Sequence, residues 1–590
     1  MSCWNFLAQF VVATTKLVIV KNNKEISRNS LLYVKKHLLY TMGCSQSKIN
    51  DSKGPIDDDE YVEKVLCKTT DLEENQMKSF DVDEGKVVLI KQNGKFAAIG
   101  PKCTHYGAPL VNGALGEGRV RCQWHGACFN IWTGDIEDFP GLDSIPCHEV
   151  TVDGCGNVAI RAKKSELRDH KRVKPMAKRE CAQTQSMVII GGGPAGANCV
   201  EVLRQEGFQG KITMVCKENY LPYDRVKVSK AMDFDIETAQ LRSEKFYQQN
   251  GIEVIKGVAA KSVDTTSKKV TLDNEKTIAY DKLFVATGCK PRKVDIPGKD
   301  LANVLTLRNY DDAKFTVSLL AENKEMVVLG SSFVAMESAN FCHGKVGKIT
   351  IVARVDYPFS PYLGPCIGQA VRALYEEKGI TFVPNSGIKK INGCSSVESV
   401  ELNDGTILKC DVLIMGTGSD FNTDFLRNSG VNLEENGSVD CDDHLRSNVA
   451  DVYVGGDIAF APVWSHGNEK SAIGHWPLAH YHGKIAALNM LGKNAPLKTV
   501  PFFWSMLFGK GLRYCGHGRY DDIIYQGDVQ GFKFVAFYLN KEGLVIAAAS
   551  VGMDPVVSQV AEMMAQGKKI TRDDLQGDDK LKWIERLHQK

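Results

Sequence analysis

Two short segments near the front of the chain each pair a cysteine with a histidine. Cys103 and His105 form a C-x-H pair, and after sixteen intervening residues Cys122 and His125 form a C-x-x-H pair. Thiolate and imidazole are the side chains that bind zinc and iron in many proteins. Any fold of this region must therefore bring two loops together so that four side chains converge on metal.

The order of the four ligands indicates an iron–sulfur cluster. In a Rieske [2Fe–2S] cluster two cysteines hold one iron and two histidines hold the other. A structural zinc site also takes two cysteines and two histidines, but zinc fingers usually pair cysteine with cysteine and histidine with histidine. We therefore predict a one-electron redox centre with Cys103, His105, Cys122 and His125 as the metal ligands, and zinc is the alternative.

The composition excludes several classes of protein. Lysine and arginine total 73 against 71 aspartates and glutamates, so the net charge gives no reason to expect nucleic acid as a partner. The 18 cysteines are scattered and do not form the regular framework of a small secreted domain. No run of apolar residues is long enough for a transmembrane helix. We expect an intracellular protein of the cytoplasm or the mitochondrion.

We predict that residues 1–60 are an N-terminal targeting or disordered segment. Residues 1–41 are basic and almost free of acids, which is typical of a mitochondrial presequence. If translation began at Met42, Gly43 would be a myristoylation site with Cys44 beside it for palmitoylation. Two acyl chains would attach the protein to a membrane. An extension without a role is the remaining alternative.

The next two segments differ sharply in composition. Residues 61–162 contain short alternating apolar runs separated by glycine turns, which predicts a small all-β domain around the four ligands. Residues 163–185 are strongly basic and poor in apolar side chains, so we expect a solvated linker.

A nucleotide-binding pattern follows the linker. A buried strand over 186–190 leads into Gly191, Gly193 and Gly196, and Glu218 comes after the next strand. In this pattern the first glycine makes the turn, the second admits the pyrophosphate and the third packs helix on strand. The acid would hold the ribose, and we predict that all four residues bind a dinucleotide.

The same unit occurs a second time. A strand over 326–329 leads into Gly330 and Ser332. A later strand of the first unit ends at Gly288, and a similar segment occurs in the second unit over 413–418. Two nucleotide folds imply two nucleotides, one flavin and one nicotinamide. We predict that Gly288, Gly330 and Ser332 contact them.

The second unit departs from the usual pattern where the nicotinamide nucleotide would bind. Ser332 replaces the middle glycine, and the following strand ends in Ala353 where an acid would hold the ribose hydroxyls of NAD. Arg354 comes next and could contact a 2′-phosphate. We predict a weak preference for NADH, with tolerance of NADPH.

A longer motif resembles a known family. The segment 222–230 is similar to a motif of the FAD-dependent pyridine nucleotide oxidoreductases, in the branch of ferredoxin reductases and apoptosis-inducing factors. The resemblance implies that Arg225 and Lys230 lie over the flavin and that Glu337 pairs with Lys230. We take Lys230 and Glu337 as the candidate catalytic residues.

The resemblance continues towards the C-terminus. The segment 453–457 is similar to the second FAD motif of the family, in which the aspartate, here Asp457, bonds the ribityl chain of the flavin. His475, Trp476 and the segment 501–505 are similar to its C-terminal flavin-side segment. The resemblance implies that Asp457, His475 and Trp476 bind FAD.

We therefore expect a multidomain protein: a small all-β Rieske domain, two α/β Rossmann-like domains for FAD and NAD(P), and an α+β C-terminal domain. The expected bounds are 61–162 for the Rieske domain, 186–300 with 425–498 for the FAD domain, 301–424 for the NAD(P) domain and 499–590 for the C-terminal reductase or interface domain.

The expected function is an electron relay from NAD(P)H through FAD and the [2Fe–2S] cluster to an unidentified acceptor. The family name implies a role in apoptosis, which no residue shows. The alternatives are a redox-sensing protein that turns over slowly and a cluster-bearing scaffold, and homodimer formation stays open. His105 and His125 are expected to face the acceptor, while His480 and His482 are expected either to touch the flavin or to form a surface pair.

Overall fold

The computed structural model describes residues 60–576 and 581–589. These described residues form one compact unit. The predicted targeting and acylation segment, including Met42 and Gly43, lies outside the described residues. In the part of the chain that the structure describes, no helix is both long and apolar enough to cross a membrane.

Residues 60–168 form two antiparallel sheets, as the alternating apolar runs predict. The six-stranded sheet has the order β1-β10-β9-β4-β3-β2, and the four-stranded sheet β5-β6-β7-β8 carries the ligand loops. The elements are β1 (Tyr61–Lys68), β2 (Gln76–Val82), β3 (Gly85–Gln92), β4 (Lys95–Ile99), β5 (Ala114–Leu115), β6 (Arg119–Arg121), β7 (Cys128–Asn130), β8 (Ile136–Asp138), β9 (Cys147–Val152), β10 (Asn157–Lys163) and α1 (Lys164–Arg168), with a 3-10 turn at Leu110–Asn112.

The first Rossmann-like unit begins at β11. Its apolar parallel strands are buried, packed against helices and against the three-stranded meander β14-β15-β16. Its elements are β11 (Ser186–Ile190), α2 (Pro194–Gln205), β12 (Lys211–Cys216), α3 (Lys227–Lys230), α4 (Ile236–Ala239), α5 (Glu244–Gln249), β13 (Ile252–Lys256), β14 (Ala260–Asp264), β15 (Lys269–Leu272), β16 (Thr277–Ala279), β17 (Lys282–Val285) and β18 (Cys289–Pro291).

The second unit repeats this plan. Its parallel sheet has the order β19-β26-β20-β21-β22, and a three-stranded meander, β23-β24-β25, occupies the same place as β14-β15-β16 in the first unit. Its elements are β19 (Val304–Leu305), α6 (Tyr310–Ser318), β20 (Glu325–Leu329), α7 (Phe333–Cys342), β21 (Lys348–Val352), α8 (Ser360–Leu363), α9 (Pro365–Glu377), β22 (Thr381–Val383), β23 (Ile388–Asn392), β24 (Ser399–Leu402), β25 (Ile407–Lys409) and β26 (Val412–Met415).

The chain then returns to the first unit. Strand β29 pairs in parallel with β17 and completes the sheet β13-β12-β11-β17-β29, so the first unit is split by the second. The elements are β27 (Ser419–Phe421), β28 (Val439–Asp440), β29 (Val452–Val454), β30 (Ala459–Val463), β31 (Glu469–Ala472) and α10 (Trp476–Met490), with 3-10 turns at Asp424–Leu426, Gly456–Ile458 and Trp464–His466.

The C-terminal part is an antiparallel sheet covered by one helix. The order is β32-β33-β36-β35-β34. The elements are β32 (Phe502–Leu507), β33 (Lys510–Gly516), β34 (Asp522–Asp528), β35 (Lys533–Leu539), β36 (Val545–Val551) and α11 (Val556–Ala565), with 3-10 turns at Asp573–Leu575 and Lys582–His588. Met563 and Met564 are buried in the core of this part, packed with other apolar side chains.

Candidate cluster and flavin-binding site

The two ligand loops share one backbone design. The first follows β4 and the second joins β6 to β7. In the first, the N–H of Cys103 donates to the carbonyl of Ala108, and in the second the N–H of Cys122 donates to that of Ala127. Gly107 and Gly126 close the loops with φ values of 78° and 74°, which side chains rarely adopt. The repeated design explains why each loop supplies one cysteine and one histidine.

The four predicted ligands converge in the arrangement that a two-iron cluster needs. The Nδ1 atoms of His105 and His125 lie 3.0 Å apart. The thiols of Cys103 and Cys122 lie close enough to share a hydrogen bond, which raises the pKa of Cys103. The histidine nitrogens thus form one corner of the site and the sulfurs another.

This geometry does not fit the zinc alternative. Around tetrahedral zinc, with bonds of about 2.0–2.3 Å, all ligand atoms lie within about 4 Å of one another. Among the described residues, the only three or more metal-binding side chains with ligand atoms that close together are Asp442, Asp443 and His444, far from these loops in sequence. The two cysteine–histidine pairs are therefore spread more widely than one metal ion allows.

Burial keeps the two imidazoles neutral. It lowers the pKa of His105 to about 3 and that of His125 to about 2. A neutral imidazole has a lone pair for a metal, so the donor set fits the cluster. The Nε2 atom of His105 is buried and has no hydrogen-bond partner.

The first glycine-rich loop fits a dinucleotide pyrophosphate. A Cβ on Gly191 would lie 2.1 Å from the carbonyl oxygen of Ala286, and a Cβ on Gly196 would lie 2.0 Å from that of Gly191. Gly193 instead borders open space, with no atom within 4 Å of a Cβ there. It precedes the twelve-residue helix α2, whose first turn has no side-chain cap. Free N–H groups at this helix start suit an anion.

Glu218, the acid predicted to bind the ribose, forms hydrogen bonds with neighbouring side chains. Glu218 accepts hydrogen bonds from Arg225 at 2.6 Å and from the hydroxyl of Tyr223 at 2.7 Å. Arg225 also donates to the carbonyl of Arg308. Arg225 therefore lies at the end of the first Rossmann-like sheet, paired with Glu218.

Lys230 and Glu337 form a buried ion pair of 2.6 Å. The other oxygen of Glu337 accepts from Ser229 at 2.5 Å, and the Lys230-bound oxygen also accepts from Ser505 at 2.7 Å. The three partners come from α3 and β32, while Glu337 lies on α7. One carboxylate thus joins both Rossmann-like units and the C-terminal sheet.

Asp457 lies at the turn after β29. Its carboxylate accepts from Arg308 at 3.1 Å and from the thiol of Cys289 at 3.3 Å. Gly288 packs closely against the Arg308 side chain, because a Cβ on Gly288 would lie 2.7 Å from Arg308 Nη2. Gly288 and Asp457, which were predicted separately as nucleotide-binding residues, thus lie close together.

At the start of α10, His475 and Trp476 are half-buried and contact neighbouring parts of the protein. Trp476 donates from its indole N–H to the carbonyl of Pro140 in the Rieske part, at 2.8 Å. The ring of His475 lies 4.9 Å from that of Phe503. The expectation of a surface pair at His480 and His482 is wrong: both are buried, because α10 packs directly on α2.

The second glycine-rich loop forms the same kind of turn after its strand as the first loop does. Gly330 has a φ of 103°, and Ser332 caps α7 and donates to the carbonyl of Gly416 at 2.9 Å. The hydroxyl of Ser332 is therefore engaged by the protein, although the residue is exposed. Ala353 is buried and Arg354 is exposed at the end of β21.

One strand connects the cluster loops with the flavin-side ion pair. Alternate side chains of a strand point to opposite faces. On one face of β32, Trp504 contacts both histidines, with ring centroids 4.2 Å from His125 and 5.5 Å from His105. On the other face Ser505 bonds Glu337. The histidines thus contact this chain's own reductase part through Trp504, and the expectation that they face the acceptor stays a prediction.

A buried charge cluster holds the Rieske part against α11. Glu562, 0% exposed, pairs with Arg121 at 2.6 Å and with Arg119 at 2.9 Å. Arg121 also pairs with Asp138 at 2.7 Å, and Ser558 donates to the carbonyl of Cys122. This contact could not be predicted from sequence, because Glu562 lies 441 positions from Arg121.

Gly116 and Gly126 lie at the contact between the Rieske part and the C-terminal part, where a side chain would not fit. A Cβ on Gly116 would lie 2.2 Å from Glu562 Oε2, and a Cβ on Gly126 would lie 2.7 Å from the ring of Phe502. The interface is therefore close-packed on both sides of the ligand loop.

Comparisons with known proteins agree with this architecture. Family models match at residues 62–149 (Rieske [2Fe-2S] domain), 185–483 (pyridine nucleotide-disulphide oxidoreductase) and 502–582 (reductase C-terminal). The chain is 40% identical over 524 residues to apoptosis-inducing factor 3 of Mus musculus and of Homo sapiens, covering 87% of this chain and 86% of each relative.

More distant matches cover the reductase part. Rubredoxin-NAD(+) reductase of Ectopseudomonas oleovorans is 30% identical, covering 58% of this chain and 89% of the relative. The crystal structure of the ferredoxin reductase for the CYP199A2 system of Rhodopseudomonas palustris superposes with a TM-score of 0.65 at 24% identity, covering 69% of this chain and 100% of that one.

Fold, ligand loops and glycine-rich loops together define an FAD-dependent NAD(P)H oxidoreductase fused to a Rieske [2Fe–2S] domain. Within that class, the chain belongs to the family of apoptosis-inducing factor 3. Its cofactors are FAD and the [2Fe–2S] cluster, and NAD(P)H is its co-substrate.

Proposed function

We propose that this chain transfers electrons from NAD(P)H to its own Rieske cluster and from there to a separate acceptor. The supporting observation is the contact of Trp504 with both predicted histidine ligands. FAD supplies the two-electron chemistry and the cluster the one-electron chemistry when they are bound. The protein's own residues fix the two sites relative to each other.

Replacing Trp504 with leucine tests this proposal. Leucine removes the aromatic ring between the flavin-side strand and the histidines, so cluster reduction after NADH addition should slow by about tenfold or more. Flavin bleaching should keep its rate. Trp504→Phe retains a ring and is the matched control. Stopped-flow absorbance with freeze-quench EPR measures both steps, and equal cluster reduction in all three proteins would contradict the proposal.

We propose that Lys230, fixed by Glu337 and Ser229, places its positive charge where the reduced flavin becomes negative. The serines and the carboxylate restrict the ammonium to one position. A preorganised charge of this kind stabilises charge that develops during the reaction.

Replacing Lys230 with methionine should therefore slow flavin reduction by NADH by about tenfold to a hundredfold. Lys227→Met, on the same helix but without a bond to Glu337, is the control and should reduce at the parent rate. Anaerobic stopped-flow at 450 nm or so measures the step. Unchanged flavin reduction in the Lys230 variant would remove it from the proposed machinery.

The nucleotide preference remains a prediction. Since Ala353 offers no carboxylate to the ribose and Arg354 is exposed, kcat/KM for NADH and NADPH should agree within about tenfold. Arg354→Ala should lower kcat/KM for NADPH more than for NADH. Steady-state kinetics with both donors measures this, and a strong NADH preference in the parent protein would refute it.

A redox-sensing role is the second candidate. The engaged hydroxyl of Ser332 and the missing ribose acid favour a protein that is reduced once and then turns over slowly. The turnover number with a one-electron acceptor separates the two roles. A role in apoptosis is supported only by the name of the relatives. Three further points stay proposals from sequence: location in the cytoplasm or mitochondrion, acylation at Gly43, and homodimer formation.

A further inference from the structure

Tyr106 covers the two predicted histidine ligands on the side away from Trp504. Its ring is stacked on that of His105, with centroids 4.0 Å apart and an angle of 26°, and lies edge-on to His125 at 5.4 Å. The side chain is 45% exposed. It therefore connects the ligand rings directly with the protein surface.

The opposite side of the histidines is closed. Trp504 and the C-terminal sheet occupy it, and the buried pair of Glu562 with Arg121 holds the domains together there. An external acceptor cannot reach the ligand rings from that direction without separating the domains. Tyr106 offers a route that leaves the domain contact intact.

A bond to the FAD domain fixes the Tyr106 ring. Its hydroxyl donates to the carboxylate of Asp224. The ring is thus held in stacking contact with His105 although one face is open to solvent.

The surface around Tyr106 is basic. Lys102, which directly precedes Cys103, is exposed, and Lys171 is 59% exposed at its side chain. Lys171 lies 3.8 Å from Asp143, whose carbonyl accepts from Thr104 within the ligand loop. Asp143 also pairs with Arg242 at 2.7 Å, so its negative charge is already balanced.

The predicted linker, which carries Lys171, is rich in basic residues. Residues 163–185 contain eight lysines and arginines against three acidic residues. The segment is bound to the Rieske part, because Arg172 forms a β-bridge with Ser144 and an ion pair with Asp135. It is thereby fixed beside the first ligand loop.

We propose that an acidic one-electron acceptor protein docks on the surface formed by Lys102, Tyr106 and Lys171, and that Tyr106 is the point where the electron leaves. The inference rests on the proposed function. One electron passes from the reduced cluster to the oxidised metal of the acceptor; no bond forms or breaks and no proton moves. Complementary charge steers such an encounter and weakens with salt.

Two soluble haem proteins of opposite charge provide the probes: cytochrome b5, which is acidic, and cytochrome c, which is basic. The test uses the holoprotein and the variants K102E/K171E, Tyr106→Leu and Tyr106→Phe. Binding of the oxidised partners is measured by calorimetry at low and high ionic strength. Haem reduction is measured by stopped flow after the protein has been reduced with a stoichiometric amount of dithionite, so the result does not depend on NADH.

We expect the parent protein to bind cytochrome b5 more tightly than cytochrome c, with affinity falling as salt rises. K102E/K171E should weaken cytochrome b5 binding by about tenfold or more at low salt. At saturating cytochrome b5, where any loss of affinity is compensated, Tyr106→Leu should slow haem reduction by about tenfold, and Tyr106→Phe should restore the rate. The proposal would be overturned if K102E/K171E bound cytochrome b5 as tightly as the parent protein does, or if Tyr106→Leu reduced the haem at the parent rate.

The two proposals fail in different ways. If NADH does not reduce the cluster but the dithionite-reduced protein follows the expected pattern, the docking surface stands and the internal relay is wrong. If NADH reduces the cluster and neither variant affects cytochrome b5, the relay stands and this surface is not the exit.

Discussion

Replacing Glu562 with glutamine should uncouple the flavin from the cluster. The carboxylate is fully buried and is the shared partner of Arg119 and Arg121. Removing one member of a buried ion pair costs about 3–5 kcal/mol, because the remaining charges lose their partner. Since this contact holds the ligand loop against α11, we expect cluster reduction after NADH addition to slow by about tenfold or more, while flavin bleaching is unchanged.

Two further variants control this experiment. Glu542→Gln changes an exposed glutamate of the same domain and should reduce its cluster at the parent rate. Arg119→Gln removes the more exposed partner and should give an intermediate rate, which keeps the test informative if the Glu562 variant folds poorly. Thermal unfolding monitors the fold. Parent-like cluster reduction in a folded Glu562→Gln protein would show that the buried charges do not set the electron path.

Replacing Cys103 with serine should remove the cluster and leave the flavoprotein. Each cysteine holds the same iron in a Rieske centre, so losing one sulfur opens the cluster to hydrolysis. Iron content should fall from about two per chain to near zero, and the EPR signal after reduction should disappear. NADH should still bleach the flavin, because Cys103 does not contact the first Rossmann-like unit.

Cys128→Ser is the matched control. Cys128 is also buried and lies at the end of the same loop region, but it contacts Glu562 and no predicted ligand. Its variant should retain iron. Metal analysis of the parent protein tests the zinc alternative at the same time, since one zinc and no iron would refute the cluster.

Much of the site was accessible from sequence because its chemistry is local. The C-x-H and C-x-x-H pairs specify two equivalent loops. Gly191 and Gly196 each lie against a backbone carbonyl that leaves no room for a Cβ, and Gly193 borders the open space where the pyrophosphate was predicted. The ion pair of Lys230 with Glu337 spans two domains, and it was expected only because a family resemblance supplied it.

The contacts between the Rieske part and the reductase part could not be predicted. Arg119 and Arg121 look like ordinary residues of a short strand, and Glu562 looks like a polar position on an amphipathic helix. Only folding brings them together, since charge pairs so distant in sequence leave no periodicity. The burial of His480 and His482 has the same cause: the packing of α10 on α2 is a property of the assembled sheet.

The central claim is that flavin and cluster exchange electrons within one chain. Freeze-quench EPR after mixing with NADH, repeated at protein concentrations that differ by about a hundredfold, tests it directly. We expect a rate constant for cluster reduction that does not depend on protein concentration. A rate constant that rises in proportion to protein concentration would mean that electrons pass between separate molecules, and would contradict transfer within one chain.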